Sequence, residues 1–194
     1  MDVERKLAEA RVAIAGLGGL GSHIAVALVR TGVKHLLLVD FDRVDESNLN
    51  RQHYMRKHLG RYKTEALQEQ LLEICPDLDI QIATVKVEAE MIPELFAEAE
   101  IICEAFDKAE AKAMLVEGVL CRLQEAKLVS GNGMAGWESS NLIKTRKVNS
   151  RFYLCGDEAN GIESGNRLTA GRVAICAGHE ANMVVRLILG LEEP

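Results

Sequence analysis

Short apolar runs and helical stripes take turns along this chain. Arg11–Ala15 (RVAIA) reads as the first strand, and His35–Val39 (HLLLV) is a continuous apolar run, the pattern of a strand buried on both faces. Residues 20–30 lie between them and read as a helix stopped near Gly32. Residues 63–74 carry Leu67, Leu71 and Ile74 at helical spacing, with Pro76 just beyond. The pattern then predicts a strand at 79–85, a short helix at 89–97 and a strand at 100–104. Ala111, Leu115, Val119 and Leu123 mark one face of a long helix, followed by a strand at 127–129. Regular alternation of this kind predicts an α/β fold with a largely parallel sheet.

The rhythm changes after residue 130. Residues 131–140 are rich in Gly and Ser and read as a loop. Residues 142–148 and 152–154 predict an antiparallel hairpin. Residues 156–171 hold four glycines and several acids, and read as a long loop expected to be mobile. Residues 172–189 carry Ala174, Ala177, Ala181, Val185 and Ile188, which suggests a closing helix ended by Gly190.

The 194 residues suit one domain, 1–194, with a substantial core. A net charge of −6 argues against a general nucleic-acid binder. No apolar run approaches the roughly 20 residues that span a bilayer. The first residues mix acids and bases without an apolar stretch, so a signal peptide is not expected and a cytoplasmic protein is. Five scattered cysteines (Cys75, Cys103, Cys121, Cys155 and Cys176) do not suggest a disulfide framework. With no C-x-x-C pair, no structural zinc is expected.

Gly16-Leu17-Gly18-Gly19-Leu20-Gly21 fits G-x-G-x-x-G between a strand and a helix. Such a turn lets the backbone approach phosphate at a helix N-terminus, where partial positive charge favours anions. Asp40 ends the next strand, where a carboxylate can bind ribose hydroxyls. Taken alone, this combination fits nucleotide or dinucleotide, including NAD. The absence of G-x-x-x-x-G-K-[ST] means that any ATP use is not of the P-loop kind.

The following segment, Asp40-Phe41-Asp42-Arg43-Val44-Asp45-Glu46-Ser47-Asn48-Leu49-Asn50-Arg51-Gln52, has a polar richness that hydride transfer does not need. With GLGGLG before it, and Lys63 and Asp107 after it, it closely resembles the ThiF/MoeB/HesA family, relatives of the ubiquitin-activating enzymes. The resemblance is strong over about residues 11–115 and looser afterwards. It implies a Rossmann-like, mostly parallel sheet flanked by helices, with a C-terminal antiparallel hairpin and a closing helix. It implies ATP-dependent adenylylation of the C-terminal glycine of a ubiquitin-like sulfur-carrier protein ending in Gly-Gly. The pattern looks most like the short zinc-free members linked to thiamine biosynthesis. A homodimer is expected by the same resemblance, with no nucleic-acid or membrane partner.

The resemblance also implies roles. Gly16, Gly18, Gly19 and Gly21 form the nucleotide turn, and Asp40 holds the ribose, with Asp42 close by. Asn48, Arg51 and Gln52 contact the phosphates or their surroundings, and Lys63 reaches the phosphate chain. Asp107 is the catalytic aspartate and holds Mg²⁺, with Arg51 and Lys63 sharing the catalytic work. Each residue also has a plain structural reading. Asp42 and Asp45 could be solvated loop charges, and Ser47 could shape a turn. Arg51 could pair with an exposed acid, Lys63 could be a helix-start charge, and Asp107 could cap the helix that begins near Lys108.

The chain departs from the family pattern in several places. Phe152 stands where a first zinc cysteine is usual, and Lys108 follows the aspartate where asparagine is usual. Cys155 and Cys176 flank the late loop, where some relatives use a cysteine to bind the carrier covalently; an inert buried thiol is the simpler reading. Arg5 or Lys6 could substitute for an arginine that longer relatives reach into the partner's site. Trp137 reads as either a carrier contact or loop packing, and His179 as part of a solvated helix face. Two other functions fit parts of the pattern. One is an adenylating dehydratase acting on tRNA threonylcarbamoyladenosine; the other is a nicotinamide-dependent oxidoreductase.

Overall fold

In the computed structural model, which describes residues 2–161 and 166–194, the two leading apolar runs become β1 (Arg11–Ala15) and β2 (His35–Val39). They pair in parallel through α2 (Gly19–Thr31), which ends at Gly32 in the left-handed conformation. The chain continues through α3 (Lys63–Ile74), β3 (Asp79–Ala83), α4 (Ile92–Leu95), β4 (Ile101–Glu104), α5 (Ala109–Arg122) and β5 (Lys127–Gly131). It closes with β6 (Lys144–Lys147), β7 (Phe152–Gly156) and α6 (Ala170–Ile188). Before all of these, α1 (Val3–Glu9) is capped by Asp2, whose carboxylate accepts from Arg5 N.

The described residues form one seven-stranded sheet, ordered β3-β2-β1-β4-β5-β7-β6. All neighbours are parallel except β6 against β7. The predicted mostly parallel sheet with a C-terminal antiparallel hairpin is therefore the fold observed. Side chains alternate across it. Val12 and Ile14 enter an apolar cluster with α2, α3 and α6, while Ala13 and Ala15 enter a second with α4 and α5.

Several boundaries differ from the expectation. The strand at 79–85 ends at Ala83. The helix at 89–97 splits into a 3₁₀ turn, Ala89–Met91, and the short α4, with Pro93 in its first turn. The strand at 127–129 runs on to Gly131, because Ser130 and Gly131 pair with Leu154 and Cys155 of β7. Among the described residues, no helix is long and apolar enough to cross a membrane.

The topology fixes where a ligand can sit. β1 lies between β2 and β4, so successive crossovers leave it in opposite directions. In open α/β sheets ligands usually bind outside the C-terminal ends of the strands at such a reversal, here β1 and β4. Gly16 leaves β1 there and Asp107 follows β4 there.

Candidate nucleotide site

The glycine loop is shaped by close backbone approach. Gly16 has φ +92°, and a Cβ on it would stand 2.6 Å from the Ala105 carbonyl oxygen at the end of β4. A side chain at Gly21 would overlap the Gly16 carbonyl, and one at Gly19 would meet Val173 of α6. Gly18 is the N-cap of α2 and makes no side-chain cap bond, and the Gln52 amide lies beside it. Gly16 and Gly21 therefore set the turn, Gly19 sets the helix packing, and Gly18 leaves the helix end free of a side-chain cap.

Asp40 is nearly buried and helps to hold this loop. One carboxylate oxygen accepts from Leu17 N at 2.7 Å, and the other accepts from Asp42 N at 2.7 Å. Burial pushes its carboxyl above the usual value, against the pull of Lys63 and of the two N–H donors. Each oxygen keeps a lone pair for a ribose hydroxyl.

Residues 42–44 pair back onto residues 60–63, which delivers Lys63 to the same corner. Lys63 N donates to Asp42 O at 2.9 Å, and Val44 N to Arg61 O at 2.9 Å. The buried Lys63 ammonium then lies 2.8 Å from Asp42 and 3.9 Å from Asp40. Asp42 is thus an ion-pair partner of Lys63 whose own side chain stays half exposed. Asp45 and Asn48 bond to each other's neighbourhood within their own loop. Asp45 accepts from Ser47 N at 2.9 Å, and the Asn48 side-chain oxygen accepts from Asp45 N at 3.1 Å, forming a capping box on the 3₁₀ turn Glu46–Asn48.

Arg51 pairs with no acid among the described residues. It donates to Ser47 O at 3.0 Å and to Asn50 Oδ1 at 2.8 Å. Its Nε is buried without a partner among those residues, as is Gln52 Oε1. Unsatisfied buried polar atoms are costly, and two in succession beside a glycine loop fit a polar ligand that completes them. Sequence reading missed Tyr54, a buried phenol that donates to Leu17 O at 2.8 Å. Burial, then Asp40 and Asp42, hold its pKa well above normal, so it remains a donor.

Asp107 lies on an exposed turn at the same edge. It does not cap α5: Lys108 occupies that position without a side-chain cap bond. A buried network, unreadable from the sequence, shapes the turn. Glu104 accepts from Phe106 N at 2.8 Å, from Lys112 Nζ at 2.8 Å and from Ser130 Oγ at 2.5 Å. Lys112 also donates to Gly131 O at 2.9 Å, tying α5 to β5. Among the described residues, no group of three or more His, Cys, Asp or Glu side chains is placed to hold a metal. A divalent ion at Asp107 would draw its other ligands from phosphate and water, which suits Mg²⁺.

The late segment is pinned where it is described. Asp157 forms a buried ion pair with Arg172, which also donates to Glu138 O at 2.6 Å and Ser139 O at 2.9 Å. Ala135 N donates to Asn160 O and Gly136 N to Arg167 O. The expectation of a mobile segment over 156–172 thus meets anchored ends, with α6 beginning at Ala170; residues 162–165 lie outside the described residues. Cys155 and Cys176 are both buried, and burial followed by the Glu180 charge pushes both thiols far up. Those are the properties of inert thiols. His179 is half-buried and bonded to Thr145 Oγ1 at 3.0 Å, not on a solvated face. Trp137 does not pack into the loop: it is 82% exposed.

Residues 1–194 match the model of the ThiF family. The chain belongs to the ThiF family. It is 27% identical over 199 residues to the sulfur carrier protein ThiS adenylyltransferase of Escherichia coli (strain K12), an alignment covering 100% of this chain and 78% of that relative. It is 31% identical over 131 residues to the tRNA threonylcarbamoyladenosine dehydratase of the same organism, covering 66% of this chain and 48% of that protein. In fold it is similar to the E. coli tRNA N6-threonylcarbamoyladenosine dehydratase in complex with ATP. That match has a TM-score of 0.87 and 21% identity, and covers 97% of this chain and 89% of the other.

Proposed function

We propose that residues 1–194 form one adenylation domain that transfers AMP from ATP to the C-terminal glycine carboxylate of a ubiquitin-like sulfur-carrier protein of the ThiS type. The observation that carries this reading is the alignment of the whole chain with the ThiS adenylyltransferase. The site geometry supports it. In the reaction, a carboxylate oxygen attacks the α-phosphorus, the bond to the bridging oxygen breaks, and pyrophosphate leaves with its electrons. The substrates bring many negative charges together, so the site must neutralise charge and hold the reactants in line. The glycine loop and the N-terminal end of α2 receive phosphate, and Asp40 receives the ribose. Arg51 donates its buried Nε–H, and Gln52 its amide Nε2–H, to phosphate oxygens, and Lys63 extends from its carboxylate pair toward them. Asp107 would hold Mg²⁺, which supplies Lewis-acid neutralisation of phosphate charge. A homodimer belongs to the same proposal.

Action on tRNA is the second reading, favoured by the close fold match with the dehydratase. Charge speaks against it. Arg146 and Lys147 of β6 and Lys127 of β5 are paired with Glu158, Glu193 and Glu192. Phosphate-backbone binding favours a basic surface, and the chain carries a net charge of −6. Nothing beyond the glycine turn and Asp40 favours a nicotinamide enzyme.

Intact-mass analysis separates the readings. A Gly-Gly-ended carrier incubated with enzyme, ATP and Mg²⁺ is expected to gain one AMP moiety, whereas a carrier lacking its last glycine gains none. An unmodified carrier beside ATP consumption that requires tRNA would overturn the proposal.

A further inference from the structure

Two adjacent residues of α2, Ser22 and His23, hold the two peptide groups that flank Gln52. Ser22 is fully buried. Its hydroxyl donates to Gly18 O at 2.6 Å and accepts from His53 N at 3.0 Å. One side chain thus joins the glycine loop to the peptide after Gln52. His23 Nε2 lies 3.2 Å from Arg51 O, the carbonyl of the peptide before Gln52. A carbonyl can only accept, so this ring nitrogen carries the proton. The edge of the His23 ring meets the His53 ring with centroids 5.3 Å apart, and His53 Nδ1 lies 3.5 Å from Gln70 Oε1.

Between these two grips Gln52 is buried. A Cβ on Gly18 would stand 3.7 Å from its Nε2, and its Oε1 has no partner among the described residues. Arg51, one residue earlier, has a buried Nε in the same condition. The segment has no strand or α-helix of its own to hold it. Its bonds to α2 fix its height above the glycine loop.

We infer that Ser22 and His23 are positioning residues that present Arg51 and Gln52 to the phosphate chain of the nucleotide. The inference rests on the proposed reading of Arg51 and Gln52 as phosphate contacts. Neither Ser22 nor His23 need touch the ligand. Each acts through a main-chain atom of the segment that does, so the helix receiving phosphate at its N-terminus also sets the side chains that close on it.

Competition against a fluorescent ATP analogue gives affinities for ATP and for adenosine. The proteins compared are the wild type, Ser22→Ala, His23→Leu and His23→Gln. Ser22→Ala and His23→Leu are each expected to weaken ATP about tenfold, the scale of one lost hydrogen bond, while adenosine changes less than about twofold. His23→Gln, whose amide can donate to the same carbonyl, is expected to stay within about threefold of wild type. A merely structural role would weaken ATP and adenosine in parallel and would not be rescued by glutamine. Parallel losses, unchanged ATP affinity in His23→Leu, or failure of the Gln rescue each overturn the inference. If the wild type itself binds no ATP, the functional reading fails first and this inference falls with it.

Discussion

Asp107→Asn is expected to fold as the wild type does and to lose roughly 10²- to 10³-fold of its adenylylation rate, the usual cost of removing one preorganised electrostatic contact. Asp107 is exposed, and the turn that carries it is held by the bond from Phe106 N to Glu104. Asparagine keeps the size and removes the charge, so stability is expected to stay within about 0.5 kcal/mol, as for other surface substitutions. Circular dichroism and urea unfolding check the first part, and steady-state rates at saturating ATP check the second. Near-normal turnover would remove Asp107 from the mechanism.

Arg172→Met is expected to have the largest effect on stability, a loss of roughly 3–5 kcal/mol, because it leaves a buried carboxylate without its cation. Asp157 and Arg172 are both almost fully buried. Burial pushes the Asp157 carboxyl up, but hydrogen bonds from Asn160 and Ala159 and the Arg172 charge outweigh it and hold the group below the usual range. A depressed carboxylate contributes stability that is present above its unfolded pKa and fades as the pH falls through the folded one. The deficit of the mutant against wild type should therefore be greatest near neutral pH and shrink in acid. Urea unfolding at both pH values measures it. A loss below about 1 kcal/mol at neutral pH, the scale of an exposed pair, would show that the pair does not hold the late segment to α6.

What could be read from the sequence follows how local each signal is. β1 and β2 are legible to the residue because their apolar runs are bounded by Gly16, Gly32 and Asp40. α3 is legible because Lys63–Ile74 carries its apolar spacing without interruption. By contrast, α1 buries only Leu7, too little apolar repeat to announce a helix. Ser130 and Gly131 look like loop residues, and only the distant β7 makes them strand. The site divides in the same way. Its glycines, Asp40, Arg51, Lys63 and Asp107 stand in a recognisable order, and the fold brings them to one edge. Partnerships are another matter. Glu104 finds Ser130 26 positions away, and Arg172 finds Asp157 across the late segment. Residue spacing carries no record of such contacts. The capping box of Asp45 and Asn48 is local enough to be foreseen, yet Asn48 stands within the family motif and reads there as a phosphate contact.

Exchange of labelled pyrophosphate into ATP tests the central claim most directly, because it reports reversible formation of the carboxyl-adenylate alone. The purified protein with ATP and Mg²⁺ should catalyse exchange only when a ubiquitin-like carrier with a free Gly-Gly C-terminus is present. Arg51→Ala and Lys63→Ala should each depress the exchange strongly while leaving carrier docking largely intact. Exchange that is absent with every carrier, while NAD or a tRNA supports turnover, would contradict the proposed function and leave only the family and the fold.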